Sequence, residues 1–221
     1  MPFNNPNTTT YVGLWPVMTP SGGGAMQVRS YTLSSVSTPI YAGDPVGLTS
    51  QGTVRSLTSA AGGGPAVLEL AYVGVSAQYV STTTVSATCL VYDDPQQIFG
   101  ICASTSAVVT MPNIIGKSVN FLATGPIGST GPNTLTGRSN VALDAGSFNI
   151  NTFLTSGVAT ILTSALSPLK CIGVHPCELA NPLTSTVTPW STAAGASIKY
   201  LVQFNQHVFG NMPVPGNLVT T

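Results

Sequence analysis

The clearest pattern in the chain is a strict alternation near its C-terminus. Ile198, Tyr200, Val202 and Phe204 are separated by Lys199, Leu201, Gln203 and Asn205. A period of two predicts a β-strand with one strongly apolar face, a segment suited to closing the main sheet or barrel. Shorter runs of the same kind fall at residues 31–36, 38–41, 46–49 and 53–57. Gly43-Asp44-Pro45 and Gln51-Gly52 separate them and read as tight turns. Residues 72–75 and 88–92 are nearly continuous apolar runs, as in buried strands. Asp93-Asp94-Pro95 stops the second of them, and residues 98–103 resume the pattern.

A helical period is seen once. Val158, Ile161, Leu162, Ala165 and Leu166 fall at i, i+3, i+4, i+7 and i+8. The threonines in that window suit a strand nearly as well. The predicted fold is therefore mainly β, a β-barrel or β-sandwich-like domain with an extended N-terminal arm and at most one or two short helices.

The organisation follows from the breakers. Residues 1–26 hold four prolines, a threonine run and Gly22-Gly23-Gly24 without a sustained period, and predict an extended arm that orders against a neighbour. Residues 27–124 form a first β-rich part. Residues 125–137 (GPIGSTGPNTLTG) form an exposed Gly/Pro loop. Residues 138–209 form a second β-rich part that closes the same domain, and residues 210–221 a tail too short to fold alone.

Charge changes the picture of the surface. Only 5% of the 221 residues are Asp, Glu, Lys or Arg, against roughly 25% in an average soluble domain. Hydroxyl runs such as Thr8-Thr9-Thr10 and Ser81-Thr82-Thr83-Thr84 keep the surface polar instead. With six acidic and six basic residues the formal net charge is zero. Such a surface resists self-association poorly, a liability that a permanent partner would remove. The cations Arg29, Arg55, Lys117, Arg138, Lys170 and Lys199 are scattered singly, so no basic stripe exists for nucleic acid. The apolar window at 153–169 is broken by Thr, Ser, Gly and Pro and is shorter than the roughly 20 residues of a bilayer span, which predicts no membrane association. The opening residues carry neither a cationic nor an apolar signal region, so synthesis and residence in a cytoplasm are expected.

The candidate chemistry is sparse. Asp93 and Asp94 are the adjacent carboxylates, able in principle to act as acid and base or to hold a hard cation. In an Asp-Asp-Pro-Gln setting the simpler reading is a turn capped by its own side chains. Cys171, His175 and Cys177, with Cys89 or Cys102, could supply four soft ligands, but the two nearest cysteines lie farther apart than in usual zinc pairs. Reduced core cysteines fit better. His175 and His207 are the available imidazole bases, and no Gly-x-Ser-x-Gly stands in the chain. Gly22-Gly23-Gly24 and Gly62-Gly63-Gly64 lack the lysine of a phosphate loop. These readings assign no catalytic, cofactor-binding or metal residue and point away from an enzyme.

Several segments taken in order resemble tailed-bacteriophage capsid decoration, or head cement, proteins. They are Tyr41-Ala42-Gly43-Asp44-Pro45-Val46, Tyr72-Val73-Gly74-Val75, Val91-Tyr92-Asp93-Asp94-Pro95-Gln96-Gln97-Ile98-Phe99, Gly137-Arg138-Ser139 and Val202-Gln203-Phe204-Asn205-Gln206-His207. The resemblance implies that Ala-Gly-Asp-Pro-Val turns between two strands of a small barrel and that Asp-Asp-Pro crosses to the next strand. It departs from that pattern at Gly100-Ile101-Cys102-Ala103, where more charge would stand.

The family likeness further implies a non-enzymatic subunit made in the host cytoplasm and carried on the outer capsid surface of the virion. Its partners would be the major capsid protein and further copies of itself, as a trimer or dimer, without nucleic acid or membrane. The alternatives are a tail or receptor-binding module and a small virion-associated hydrolase using Asp93, Asp94 or His175. A shell-forming major capsid subunit would need a spine helix of about 20 residues, and no segment has that period.

Overall fold

The computed structural model describes residues 13–19, 26–34, 39–57, 71–81, 87–103, 109–110, 115–122, 136–144, 168–175, 186–187, 198–205 and 207–210. Among them lie fourteen strands and no helix, so the protein is mainly β, as its patterning predicts.

The alternating C-terminal segment forms β14 (Lys199–Phe204), with Tyr200, Val202 and Phe204 buried and the intervening residues half-exposed. It does not close an edge. In the first sheet it lies between β7 (Ile98–Cys102) and β12 (Leu169–Val174). Beyond them β1 (Trp15–Met18) and β9 (Ser118–Val119) take the two edges, and every pairing is antiparallel. The second sheet runs β2 (Val28–Thr32), β6 (Thr88–Tyr92), β5 (Ala71–Ser76), β3 (Pro45–Leu48) and β4 (Val54–Ser56). Two small ladders complete the set. One joins β10 (Phe121–Leu122) to β11 (Ala142–Leu143), and the other joins β8 (Val109–Thr110) to β13 (Thr186–Val187).

The main core fills the space between the two sheets. Phe99 and Ile101 of β7, Leu169 and Cys171 of β12, and the inward face of β14 meet Tyr72 and Val75 of β5, with Phe121 and Leu143 beside them. Tyr72 stacks on Phe204 at 5.3 Å between ring centroids, and Phe99 meets the same ring edge-on at 5.7 Å. Offset and edge-to-face packing of this kind adds to the burial of large apolar area.

A second cluster occupies the far side of the second sheet: Leu33, Ile40, Val46, Val54, Val73, Val80, Cys89 and Val91. β5 lines both cores, and a bulge lets Tyr72 and Val75, three residues apart, share the main one. Val46 pairs with Gly74 but Gly47 pairs with Tyr72, which leaves Val73 as the extra residue, facing the second cluster. Gly74 holds φ at +148°, a conformation open to glycine and strained for other residues. The sheet also curls on itself. Leu33, just past β2, bridges Val54 of β4 in parallel, and the Ser34 N–H donates to the Val54 carbonyl at 2.9 Å. The second cluster thus sits inside a small barrel-like curl.

Three local departures have physical causes. The strand expected at 31–36 starts earlier, at Val28, because it follows the length of its partner β6 from Val28↔Tyr92 to Thr32↔Thr88. The strand expected at 38–41 is reduced to the single bridge Ile40↔Val80, since Pro39 has no N–H to give to a ladder. The N-terminal segment is extended where it is described, yet Trp15–Met18 orders against this chain's own β7 rather than a neighbour. That pairing depends on Gly100, which lies beneath the Trp15 indole and leaves no room for a β-carbon. The possible helix at 158–166 and the tail beyond 210 lie outside the described residues, as does most of the 125–137 loop. No helix among the described residues is long and apolar enough to cross a membrane.

Candidate functional site

The two adjacent carboxylates do different work. Asp94 caps the turn out of β6: its Oδ1 accepts the Gln96 N–H at 2.8 Å and its carbonyl accepts the Gln97 N–H at 3.0 Å. Asp93 turns inward, its side chain wholly buried. Its Oδ2 accepts the Tyr31 hydroxyl at 2.7 Å and faces the Arg29 Nε at 3.3 Å, while Oδ1 has no hydrogen-bond partner among the described residues. The arrangement follows from register. Arg29 and Tyr31 are two apart on β2 and so share a face, and Arg29 pairs with Val91, two residues before Asp93. Burial, with the Asp93 hydrogen bond next in weight, pushes the Tyr31 phenol up to about 12.

His207 lies near the same carboxylates. It is 2% exposed and bridges Tyr72 of β5, and its Nδ1 accepts the Phe209 N–H at 3.1 Å. The Phe209 ring lies 5.7 Å from the Arg29 guanidinium carbon and 5.8 Å from the His207 ring. Arg29 is thus shared between a carboxylate and an aromatic face. A carboxylate sealed from water and bound by its own chain's donors acts as a clamp between β2 and the β6–β7 crossover, not as a base presented to a substrate.

A second buried carboxylate anchors the Gly43-Asp44-Pro45 corner. Asp44 is 2% exposed; its Oδ2 accepts the Tyr41 N–H at 2.9 Å and the Ser56 hydroxyl at 3.3 Å, and Ser139 also hydrogen-bonds it. The backbone around it joins three separate segments: Leu14 N to Gly43 O at 3.0 Å, Gly43 N to Ser76 O at 2.9 Å and Ser139 N to Ala42 O at 3.0 Å. Burial outweighs these donors and raises the Asp44 carboxyl to about 6 from 3.8.

The folded protein therefore binds this proton more tightly than the unfolded chain does. Its contribution to stability is full below the unfolded value and is lost as pH rises through about 6. Asp44→Asn keeps an acceptor for Tyr41 and removes the titration. Relative to the wild type, the variant is expected to gain about 2–3 kcal/mol between acid and neutral pH, measured by urea unfolding at each pH. A constant difference across that range would show that Asp44 does not titrate this way.

The cysteine and histidine candidates are dispersed. Cys171 is buried in the main core, where its Sγ contacts the Gly173 carbonyl at 3.5 Å and burial pushes its thiol up to about 12. Cys89 belongs to the other cluster, paired with the Ser76 hydroxyl at 3.2 Å, and burial raises its thiol as well. Cys102 is buried in β7, and His175 follows β12 with its ring 6.4 Å from Trp15. Cys177, Gly22-Gly23-Gly24 and Gly62-Gly63-Gly64 fall outside the described residues. Among the described residues no three of His, Cys, Asp and Glu come together as a metal site.

The outer face of the β2–β6 pair offers a different kind of site. Val28, Ser30 and Thr32 stand opposite Tyr92, Leu90 and Thr88, and all but the half-buried Tyr92 are exposed. Val28 is 40% and Leu90 39% exposed, on a face that carries no charged side chain. Sequence reading missed the inward Asp93, its partners Arg29 and Tyr31, and this face. The i, i+2 spacing of Arg29 and Tyr31 was its one local sign. Comparison with protein-family models, with curated proteins and with solved structures finds no match.

Proposed function

We propose that the chain is a structural subunit of a tailed-phage virion, a decoration or cement protein that binds the outer surface of the head and stabilises the coat lattice. The observation that carries this reading is the scarcity of charge: 5% of residues are ionised at neutral pH, with no net sign. A β-rich body with an uncharged, partly apolar sheet face is suited to being covered by neighbours. Water leaving that face on contact would stabilise attachment, and few ionised groups would have to be desolvated. The partners on this reading are the major capsid protein and further copies of the chain, as a trimer or dimer, so that several weak contacts act together through avidity. The chain performs no catalysis; its two buried carboxylates hold the body in shape.

Quantitative mass spectrometry of purified virions is expected to find this chain in a simple ratio to the coat protein, in hundreds of copies per particle as an order of magnitude for a lattice-wide binder. A few copies per particle would move the chain to the tail or a receptor-binding fibre. Absence from particles would end the virion reading altogether.

A further inference from the structure

His207 sits where residues 207–210 meet β5 and the Arg29–Asp93 pair. Its Nδ1 accepts the Phe209 N–H, so the neutral ring carries its proton on Nε2, a buried atom without a hydrogen-bond partner among the described residues. A second proton can enter only at Nδ1. There it would turn the acceptor into a donor facing the donor of Phe209, and that hydrogen bond would be lost.

What this bond holds is the end of the described chain. Val208 donates to the Tyr72 carbonyl at 2.8 Å and Gly210 to the His207 carbonyl at 2.9 Å. Phe209, 48% exposed, covers the Arg29 guanidinium. These few contacts fasten residues 207–210 to β5 and to the Arg29–Asp93 pair, and residues 211–221 continue from them.

We propose that His207 is an acid-operated latch: protonation at Nδ1 releases residues 208–210 from β5 and Arg29, while the two-sheet body stays folded. The inference does not depend on the virion reading.

Asp93 and Asp94, from the β6–β7 crossover, and the Val73 carbonyl of β5 favour the imidazolium; burial opposes them more strongly and sets the His207 pKa below the ordinary histidine value. Tyr72 of β5 is a phenol whose pKa burial raises, so it stays neutral. Arg29 of β2 stands behind the Phe209 ring, and Phe204 of β14 presents an aromatic edge 6.5 Å away. A histidine with a lowered folded pKa stabilises the closed form above the unfolded value of 6.5, and that stability is lost as pH falls.

The test is amide exchange on the full-length chain, corrected for intrinsic rates, at about pH 7.5 and about pH 5, which bracket histidine titration. Protection of the Val208 and Phe209 amides is expected to fall about tenfold or more at the lower pH, with Tyr200 and Val202 of β14 unchanged. His207→Asn places an amide oxygen where Nδ1 stood and cannot titrate, so its Phe209 protection should not depend on pH. Equal protection at both pH values in the wild type would overturn the latch. So would loss shared by Tyr200 and Val202, or the same pH response in His207→Asn. Should that variant fail to fold, the wild-type comparison decides.

Discussion

Gly74→Ala is expected to destabilise the protein by about 3 kcal/mol or more, the sum of a strained backbone and a forced overlap. At φ +148° the alanine would occupy a region that side-chain-bearing residues avoid. Its β-carbon would also overlap the Tyr92 carbonyl oxygen, a backbone atom that cannot rotate away. The bulge has to be kept, because it lets Tyr72 and Val75 both face the first cluster while Val73 faces the second. Urea unfolding should show a large fall in midpoint, and a midpoint equal to the wild type would mean that the bulge shifts freely. Gly52, also at positive φ, meets nothing within 4 Å in place of a β-carbon and should tolerate alanine better.

The second large effect is expected at Phe99. The ring is 1% exposed on β7 beside the central strand, packed edge-on against Phe204, which in turn stacks on Tyr72. Phe99→Ala should cost about 3–5 kcal/mol through lost burial and the cavity left behind. Phe99→Leu, which refills much of the volume, should cost clearly less. Thermal unfolding of the two variants separates these outcomes, and equal losses would indicate that the aromatic stack collapses around either residue.

Much of the strand content was legible in the sequence, and the reason is local. The segments read at 72–75, 88–92 and 98–103 correspond to β5, β6 and β7 because a run of apolar residues between breakers has few other fates in a chain this poor in helix formers. The inward face of β14 followed from alternation alone. Strand neighbours were not legible, since register depends on partners far away in sequence. Nothing local places Trp15 over Gly100. The same limit applied to the candidate site. Asp93 and Asp94 look equivalent as a dipeptide, and only the position of β2 decides that one is buried against Arg29 and Tyr31 while the other caps a turn.

The strand order of the first sheet has a consequence for how the molecule is made. Its strands β1, β7, β14, β12 and β9 come from stretches far apart in sequence, with Trp15 aligned to Gly100 and Gly100 to Leu201. During translation β14 emerges after every other strand of this sheet, so the sheet lacks its middle until then. Pairing over such sequence distances makes folding slow and leaves unfinished chains prone to aggregation. The second sheet, drawn from a shorter stretch of chain, can assemble first and wait for it.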